Sequence, residues 1–250
     1  MLSLNNVSVN FGGVKALTDV TFNVPANKIT ALIGPNGAGK TTLFNSITGF
    51  IPHFTGDIQF ENNKLNGKLP HEIFQLGISR TFQNLNLINE LTLRENMLLG
   101  VIGKEKPAIF SSFFRLNKGY WKRVEERIDD VLYLTGIKKW EKHKPDSVPY
   151  GVLKNLEMAR ALISNPKLLL LDEPAAGLNN KERENIAEII AQLKDKGFTV
   201  LMVEHDMGFV SHLSDYVVCL NFGQVIAKGT FGEIRNNKDV IKAYLGDEDA

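Results

Sequence analysis

The sequence predicts an α/β domain with a largely parallel sheet and an inserted helical segment. Short apolar strands alternate with helical stretches over most of the chain, the pattern of strand–helix–strand units. A glycine-rich loop stands directly between a buried strand and a helix early in the chain. From about residue 93 the pattern becomes helical, with little strand signal. We therefore expect a single domain, residues 1–250, with a helical subdomain at about 93–165.

The N-terminal third is predicted to be mainly β-structure. Apolar and polar residues alternate from residue 2, and ITALI, residues 29–33, has the composition of a short buried strand. A helix is expected from about Lys40 to Gly49 after the glycine-rich loop. DIQFE and GISRTF, residues 57–61 and 77–82, are further candidate strands.

The remaining elements alternate as the fold class requires. In the helical segment, RVEERIDDVLYL has an apolar period of roughly 3.6 residues, which predicts an amphipathic helix. A helix is also expected directly after Leu153. Later strands are predicted in KLLLLDE (167–173), FTVLMVE (198–204), YVVCLNF (216–222) and QVIAKG (224–229), with helices at about Lys181–Lys196 and Lys238–Leu245.

The composition is that of a soluble globular protein, with 43% hydrophobic and 23% charged residues. The net charge of +1 gives no general reason to expect nucleic acid as a partner. Residues 104–144 hold 11 Lys and Arg against 6 Asp and Glu, which fits a solvated helix face or a surface facing a partner or membrane. The single cysteine, Cys219, excludes an internal disulfide and is expected to be a small buried apolar residue.

No run of residues approaches the 18 apolar positions of a membrane span, and the N-terminus lacks a secretory signal pattern. We therefore expect a cytoplasmic protein, held at the inner face of the cell membrane only where partner subunits anchor it.

A phosphate-binding loop is predicted by GPNGAGKTT, which follows a strand and precedes a helix. Glycines allow backbone N–H groups to converge on phosphate oxygens, and the helix N-terminus adds a favourable dipole. Lys40 is expected to reach the β- and γ-phosphates, and the Thr41 hydroxyl to ligate Mg²⁺. The nine residues are Gly34, Pro35, Asn36, Gly37, Ala38, Gly39, Lys40, Thr41 and Thr42.

Two later strands end in polar residues that suit phosphate chemistry. LLLLDEP places Asp172 and Glu173 at the carboxyl end of a predicted parallel strand, where ligands bind in such sheets. Asp172 is expected to hold Mg²⁺, and Glu173 to orient or deprotonate the attacking water. MVEHDM ends the next strand in Glu204 and His205, and a histidine at that place can reach a γ-phosphate. In RTFQNLNL, Gln83 is a further candidate, able to bridge Mg²⁺ and that water.

Five motifs occur in a fixed order along nearly the whole chain: GPNGAGKTT, RTFQ, VPYGVLKNLEMAR, LLLLDEPAAGLN and EHDM. As a set they resemble the ATP-binding cassette (ABC) ATPases. FGGVKAL, AAGLN and the ending IRNNKDVIKAYLG resemble most the ATP-binding subunit of branched-chain amino acid importers. The resemblance implies a P-loop NTPase with a RecA-like core and mostly parallel sheet, an N-terminal antiparallel β subdomain and an inserted α-helical subdomain.

The resemblance also implies a head-to-tail dimer with two ATP molecules at its interface, each between the phosphate loop of one subunit and the signature loop of the other. Phe11 would stack on adenine, although core packing explains this aromatic residue equally well. Gln83 would lie in the loop that senses the transmembrane partner, Glu173 would be the catalytic carboxylate, and His205 would contact the γ-phosphate. The D-loop would be Gly177, Leu178 and Asn179, with asparagine in place of the usual aspartate.

The signature loop departs from the family's Leu-Ser-Gly-Gly-Gln pattern, because residues 148–152 are Val-Pro-Tyr-Gly-Val. Pro149 lacks the serine hydroxyl and a backbone N–H, while Tyr150 and Gly151 continue the loop. A hydrogen bond to a charged group contributes about 1.5–3 kcal/mol, so one lost contact weakens binding of the partner's ATP roughly ten- to a hundredfold. We therefore expect a heterodimer with a paralogue whose signature loop is intact, although a self-dimer is the alternative.

The leading functional hypothesis is an ATP-hydrolysing motor that drives separate permease subunits, supplied by a solute-binding protein, with ATP and Mg²⁺ as cofactors. The rival is a soluble ABC ATPase that assembles or remodels a cytosolic complex without a permease. A nucleotide-binding regulatory module is disfavoured, because Lys40, Asp172, Glu173 and His205 are all present. The solute is selected by the other subunits, so branched-chain amino acids, amides and urea stay open.

Overall fold

The structure is a computed structural model, and it describes residues 1–81, 85–102 and 118–245. A four-stranded antiparallel sheet is formed by the N-terminal strands, in the order β2-β1-β4-β5. Strand β1 ends at Phe11, and β2 begins after a two-glycine turn. The bounds of these strands are β1 Leu2–Phe11, β2 Val14–Val24, β4 Thr55–Phe60 and β5 Asn63–Lys64.

A second sheet of six strands has the order β10-β9-β3-β8-β7-β6. Its neighbours pair in parallel except β9 and β10, which form an antiparallel hairpin. The strands are β3 Ile29–Ile33, β6 Ile78–Arg80, β7 Leu168–Asp172, β8 Thr199–Val203, β9 Tyr216–Asn221 and β10 Gln224–Gly229. The predicted α/β class, with a mostly parallel sheet and an antiparallel N-terminal sheet, is confirmed.

The helices occupy the expected places and include three short ones that the sequence analysis did not predict. The expected helix from Lys40 ends at Ile47, because Gly49 has a left-handed φ of 77° that ends the helical geometry. The helices are α1 Lys40–Ile47, α2 Pro70–Gln75, α3 Leu93–Ile102, α4 Lys118–Leu134, α5 Tyr150–Leu162, α6 Asn180–Asp195, α7 Met207–Leu213, α8 Phe231–Arg235 and α9 Lys238–Leu245. The three that were missed are α2, α7 and α8.

The three central strands β3, β8 and β7 of the six-stranded sheet are buried on both faces, which explains their apolar sequences. Along β7, Leu168 and Leu170 pack into the core shared with the N-terminal sheet, whereas Leu169 and Leu171 pack into the core shared with the helices. This alternation follows from the two-residue period of a strand. Cys219 of β9 is fully buried, as predicted, and burial raises the pKa of its thiol to about 11.

The helical segment lies between β6 and β7 in the chain and packs on the sheet through α5. Helices α3, α4 and α5 contact one another and share the second core with β7. The division into one domain with a helical subdomain at about 93–165 stays a prediction. Among the described residues, we find no helix with the length and apolar character that a membrane crossing requires.

Candidate active site

The predicted phosphate-binding and acidic residues meet at one edge of the six-stranded sheet. Strand β3 lies beside β8, and β8 lies beside β7, all three parallel. The carboxyl ends of these strands carry the glycine-rich loop, His205, and the pair Asp172 and Glu173. Strand order therefore brings together residues that are far apart in the sequence, as expected for ligand sites in parallel sheets.

The backbone of the phosphate loop needs glycine where it approaches its neighbours. Gly39 precedes α1 with a left-handed φ of 100°, and a Cβ atom there would lie 2.7 Å from the carbonyl oxygen of Ala16. Gly34 has a φ of 147°, and a Cβ atom there would collide with the backbone carbonyl of Leu220. Side chains at these positions would displace the loop from β2 and β9.

Lys40 lies folded over its own loop. Its Nζ donates hydrogen bonds to the carbonyl oxygens of Gly34 at 2.7 Å and Pro35 at 3.0 Å, and the residue is 7% exposed. Burial lowers the pKa of Lys40, while the carboxylates of Glu173 and Asp172 oppose that shift. The ammonium group is therefore held among carbonyl dipoles at the mouth of the loop, where phosphate oxygens would compete for it.

A cavity of about 500 Å³ opens beside the loop, within the size range of small-molecule sites. Its lining combines the phosphate loop with residues from four other places: Val14, Lys15, Ala16, Asn36, Gly37, Ala38, Gly39, Lys40, Thr41, Thr42, Glu173, Val203, His205, Phe222 and Gly223. Phe11 is not among them, but it pairs in register with Val14 and is 50% exposed. Phe11 is therefore the strand partner of a residue that lines the cavity, and its role toward adenine stays a prediction.

Phe222 is an aromatic residue of the cavity that the sequence analysis missed. It occupies the two-residue turn between β9 and β10 and is 84% exposed. Its φ of 44° is left-handed, which is uncommon for a bulky side chain. The turn is locked to the loop, because the Gly223 N–H donates to the Ala38 carbonyl at 3.0 Å.

Asp172 makes a buried ion pair that the sequence analysis also missed. Arg80, at the end of β6, donates from Nη2 to Asp172 Oδ2 at 2.7 Å, and the two side chains are 7% and 8% exposed. The Asp172 carboxylate and the Thr41 hydroxyl are hard oxygen donors, the chemistry that Mg²⁺ prefers. The residues present therefore fit the ion that the family implies.

Glu173 and His205 are in direct contact. His205 Nε2 lies 2.8 Å from Glu173 Oε1, and Glu173 has a left-handed φ of 49°. Glu204, which precedes the histidine, is buried and accepts backbone N–H groups from Ala175 at 2.8 Å and from His205 at 3.0 Å. Burial raises the pKa of Glu204, although these N–H groups oppose the shift.

The predicted signature loop begins helix α5. Pro149 is the residue before the helix, and its side chain makes no capping hydrogen bond. Neither Pro149, Tyr150 nor Gly151 is among the described residues that line the 500 Å³ cavity of the same chain. A buried lysine of α5, Lys154, has its Nζ 3.5 Å from the carbonyl oxygen of Glu173. Helix α5 therefore contacts the backbone of the acidic pair.

The predicted D-loop residues lie between the acidic pair and α6. Tyr150 packs on Gly177, where a Cβ atom would lie 3.1 Å from the ring. Leu178 is buried in the core. Asn179 caps α6 by accepting the Glu182 N–H at 3.0 Å, while the Glu182 carboxylate accepts the Asn179 N–H at 3.0 Å. The spacing of Asn179 and Glu182 is a capping-box signature that the sequence already contained.

Gln83, the remaining predicted site residue, lies outside the described residues.

The fold and the site define a P-loop nucleotide-binding protein: a phosphate loop on a parallel sheet, with acidic residues on the strand two places away. Residues 17–176 match the family described as ABC transporter, and residues 224–250 match one described as branched-chain amino acid ATP-binding cassette transporter. The chain belongs to the ABC transporter family, which confirms the predicted resemblance.

Curated relatives match over almost their full length. The chain is 38% identical to the high-affinity branched-chain amino acid transport ATP-binding protein LivG of Salmonella typhimurium, covering 99% of this chain and 98% of the relative. It is 36% identical to the corresponding BraF protein of Pseudomonas aeruginosa, with the same coverage. A probable LivG protein of Archaeoglobus fulgidus is 37% identical over 100% of this chain and 97% of that relative.

Solved structures agree with the fold. A nucleotide-free ATP-binding cassette from an ABC transporter superposes with a TM-score of 0.86 at 33% identity, covering 98% of this chain and 99% of the other. A dimeric cassette in a post-hydrolysis state, bound to ADP and phosphate, gives a TM-score of 0.77 at 28% identity, covering 92% and 99%. The predicted RecA-like cassette architecture is therefore confirmed.

Proposed function

We propose that this chain is the ATP-hydrolysing subunit of an importer for branched-chain amino acids, acting on separate permease subunits at the inner face of the cell membrane. The observation that carries the proposal is the meeting of the phosphate loop, Glu173 and His205 around one cavity. The full-length similarity to LivG and BraF supports this solute class over amides or urea, and it favours the transport motor over a cytosolic remodelling ATPase.

The chain's own residues supply the groups that bind the phosphates and accept the proton in the proposed hydrolysis. The loop N–H groups and Lys40 bind the phosphates. Glu173 accepts a proton from the attacking water while the water oxygen forms its bond to the γ-phosphorus. The bond to the ADP oxygen breaks in the same step. His205 lies against Glu173, and in this proposal its imidazole donates a hydrogen bond to the γ-phosphate. Thr41, Asp172 and Gln83 would hold Mg²⁺, which when bound neutralises charge on the phosphates.

A second ATPase subunit completes each site in this proposal. Residues 149–151 lie outside the described lining of the chain's own cavity, so in a head-to-tail pair they are available to the partner's ATP. The dimeric, ADP-bound cassette among the similar structures supports such a pair. The partner is a paralogue or a second copy, and a solute-binding protein delivers substrate to the permease.

The decisive experiment measures ATP hydrolysis by the assembled complex and uptake of radiolabelled leucine into vesicles. Glu173→Gln removes the proton acceptor and is expected to abolish both, while ATP still binds. Glu188→Gln, a change at an exposed position of α6, is the matched control and should leave both rates unchanged. Equal ATPase rates for Glu173→Gln and wild type would overturn the proposal that this chain is the ATP-hydrolysing motor. ATP hydrolysis without leucine uptake in the wild-type complex would overturn the proposed solute class.

A further inference from the structure

Glu204 is a buried acidic residue to which the proposed mechanism gives no role. It lies directly after β8, and only 3% of its surface is exposed. Carboxylates are seldom buried without a partner, because removal from water disfavours their charged form. The Glu173 carboxylate adds to this cost, since its charge also raises the pKa of Glu204. An apolar residue would fill the same space without that penalty, so the carboxylate itself calls for an explanation.

The two oxygens of Glu204 bind two different loops. Oε1 accepts the N–H of Ala175, two residues after Glu173, at 2.8 Å. Oε2 accepts the N–H of His205 at 3.0 Å, and the N–H of Asp206 lies 3.5 Å away. One carboxylate therefore ties the loop after β7 to the loop after β8.

These contacts close a ring around the two proposed catalytic side chains. The ring runs from Glu173 to the His205 imidazole at 2.8 Å, through the His205 backbone to Glu204, across to Ala175, and back along the chain to Glu173. We propose that Glu204 is a positioning residue that fixes the distance between Glu173 and His205. Its side chain is not among the described residues that line the nucleotide cavity, and it acts through the two loops that it joins.

A carboxylate suits this position better than an amide of the same shape. Glutamine offers one acceptor oxygen, so whichever way it is turned, its NH₂ group faces a backbone N–H of one loop. Aspartate keeps both acceptors but is one methylene shorter, and it cannot span the same two loops without drawing one of them inward. Both substitutions should therefore misplace Glu173 relative to His205.

This inference rests on the proposed function, in which Glu173 and His205 carry the chemistry. The test measures the kcat and KM for ATP of the assembled complex with Glu204→Gln, beside its urea unfolding curve. We expect kcat to fall about 10- to 100-fold, the effect of one lost hydrogen bond to a charged group, with KM changed less than about threefold. Unfolding reports the purely structural contribution.

Glu233→Gln is the matched control. Glu233 also accepts a backbone N–H, that of Thr230 at 2.7 Å, but it does so at the start of α8, outside the nucleotide cavity. The Glu233→Gln variant should lose some stability and keep the wild-type kcat. A Glu204→Gln variant that keeps wild-type kcat, or whose apparent kcat falls only in proportion to its folded fraction, would overturn the positioning role.

A double-mutant cycle separates this inference from the function on which it rests. In a His205→Ala background, followed by single-turnover hydrolysis of radiolabelled ATP, Glu204→Gln should cause little further loss, because the pair that it aligns is already gone. Full additivity of the two losses would contradict the inference while leaving the proposed function intact. If Glu173→Gln and His205→Ala both hydrolyse ATP at the wild-type rate, the proposed function itself fails.

Discussion

Arg80 Nη2 lies 2.7 Å from Asp172 Oδ2, and both side chains are almost completely buried. The same guanidinium donates from Nη1 to Asn45 Oδ1 of α1 at 2.7 Å and stacks 5.4 Å from the ring centroid of Phe44. One arginine therefore joins β6, β7 and α1 beneath the phosphate loop. The predicted metal-binding carboxylate is held in place by Arg80, the first residue of the RTFQ motif, to which the sequence analysis gave no role.

Removing Arg80 should be strongly destabilising. Arg80→Met leaves Asp172 as an uncompensated buried charge, for which the expected loss is about 3–5 kcal/mol in the free energy of unfolding. The measurement is urea unfolding without nucleotide. Adding Asp172→Asn should recover part of the loss. Lys64→Met, which breaks the exposed pair of Lys64 with Asp57, is the control and should stay within about 0.5 kcal/mol of wild type.

Pro149→Ser should improve both helix α5 and the proposed trans contact. Pro149 occupies the N-cap position with an extended backbone and no side-chain capping bond. A serine hydroxyl there is expected to add about 0.5–1 kcal/mol of stability and, in the assembled complex, to tighten ATP binding roughly ten- to a hundredfold. Pro149→Ala is the control, since it removes the ring without supplying a hydroxyl. Equal ATP affinity in the wild type and both variants would defeat the idea of an asymmetric dimer.

Phe222→Asn should stabilise the turn beside the cavity. Phe222 and Gly223 both have positive φ, at 44° and 75°, which is the geometry of a type I′ hairpin turn. Asparagine tolerates this geometry, and the phenylalanine ring is almost fully exposed, so we expect a gain of about 1 kcal/mol in the free energy of unfolding. Phe222→Leu, which keeps an apolar side chain at the strained position, should give no such gain. A loss of stability with asparagine would mean that ring contacts outweigh the strain.

The helical segment should lose stability in acid. Arg94 and Lys138 together bind Asp129 and Glu141, at distances from 2.7 to 3.0 Å. The hydrogen bond from Arg94 lowers the pKa of Asp129, and that from Lys138 lowers the pKa of Glu141. Because the folded-state pKa values are lowered, the unfolded chain takes up protons at a higher pH than the folded chain does. The stability that these ion pairs contribute is therefore fully present above the unfolded pKa of about 4. It disappears as the pH falls through the lowered folded values.

Thermal unfolding of Arg94→Met at pH 7 and pH 3 tests this network. The variant should melt below wild type at pH 7, and the difference should shrink at pH 3, where both carboxylates approach protonation. High salt should also reduce the difference, because the pairs are partly exposed. Lys122→Met, which breaks an exposed pair with Glu126, is the control and should show no such pH dependence. An unchanged difference at both pH values would contradict the network.

The sequence contained enough to predict the fold class, because strand and helix periods are local properties. The four leucines before Asp172 predict a strand buried on both faces, and the glycine pattern predicts a phosphate loop wherever a strand and a helix flank it. The short helices α2, α7 and α8 escaped prediction, since five to seven residues are too few for a reliable period. The capping boxes of α6 and α8 were available signals.

The sequence by itself was enough to predict which groups carry the chemistry: the loop residues 34–42, Asp172, Glu173 and His205, each with a residue type suited to phosphate. Only the tertiary structure decided how those groups are held. Arg80 and Asp172 are 92 positions apart, and Glu204 and Ala175 are 29 positions apart, so no local sequence pattern predicts either contact. Strand order creates them, because β7 is flanked by β6 and β8 and their ends share one edge. The burial of a charged group can be explained only when the group that compensates its charge is known.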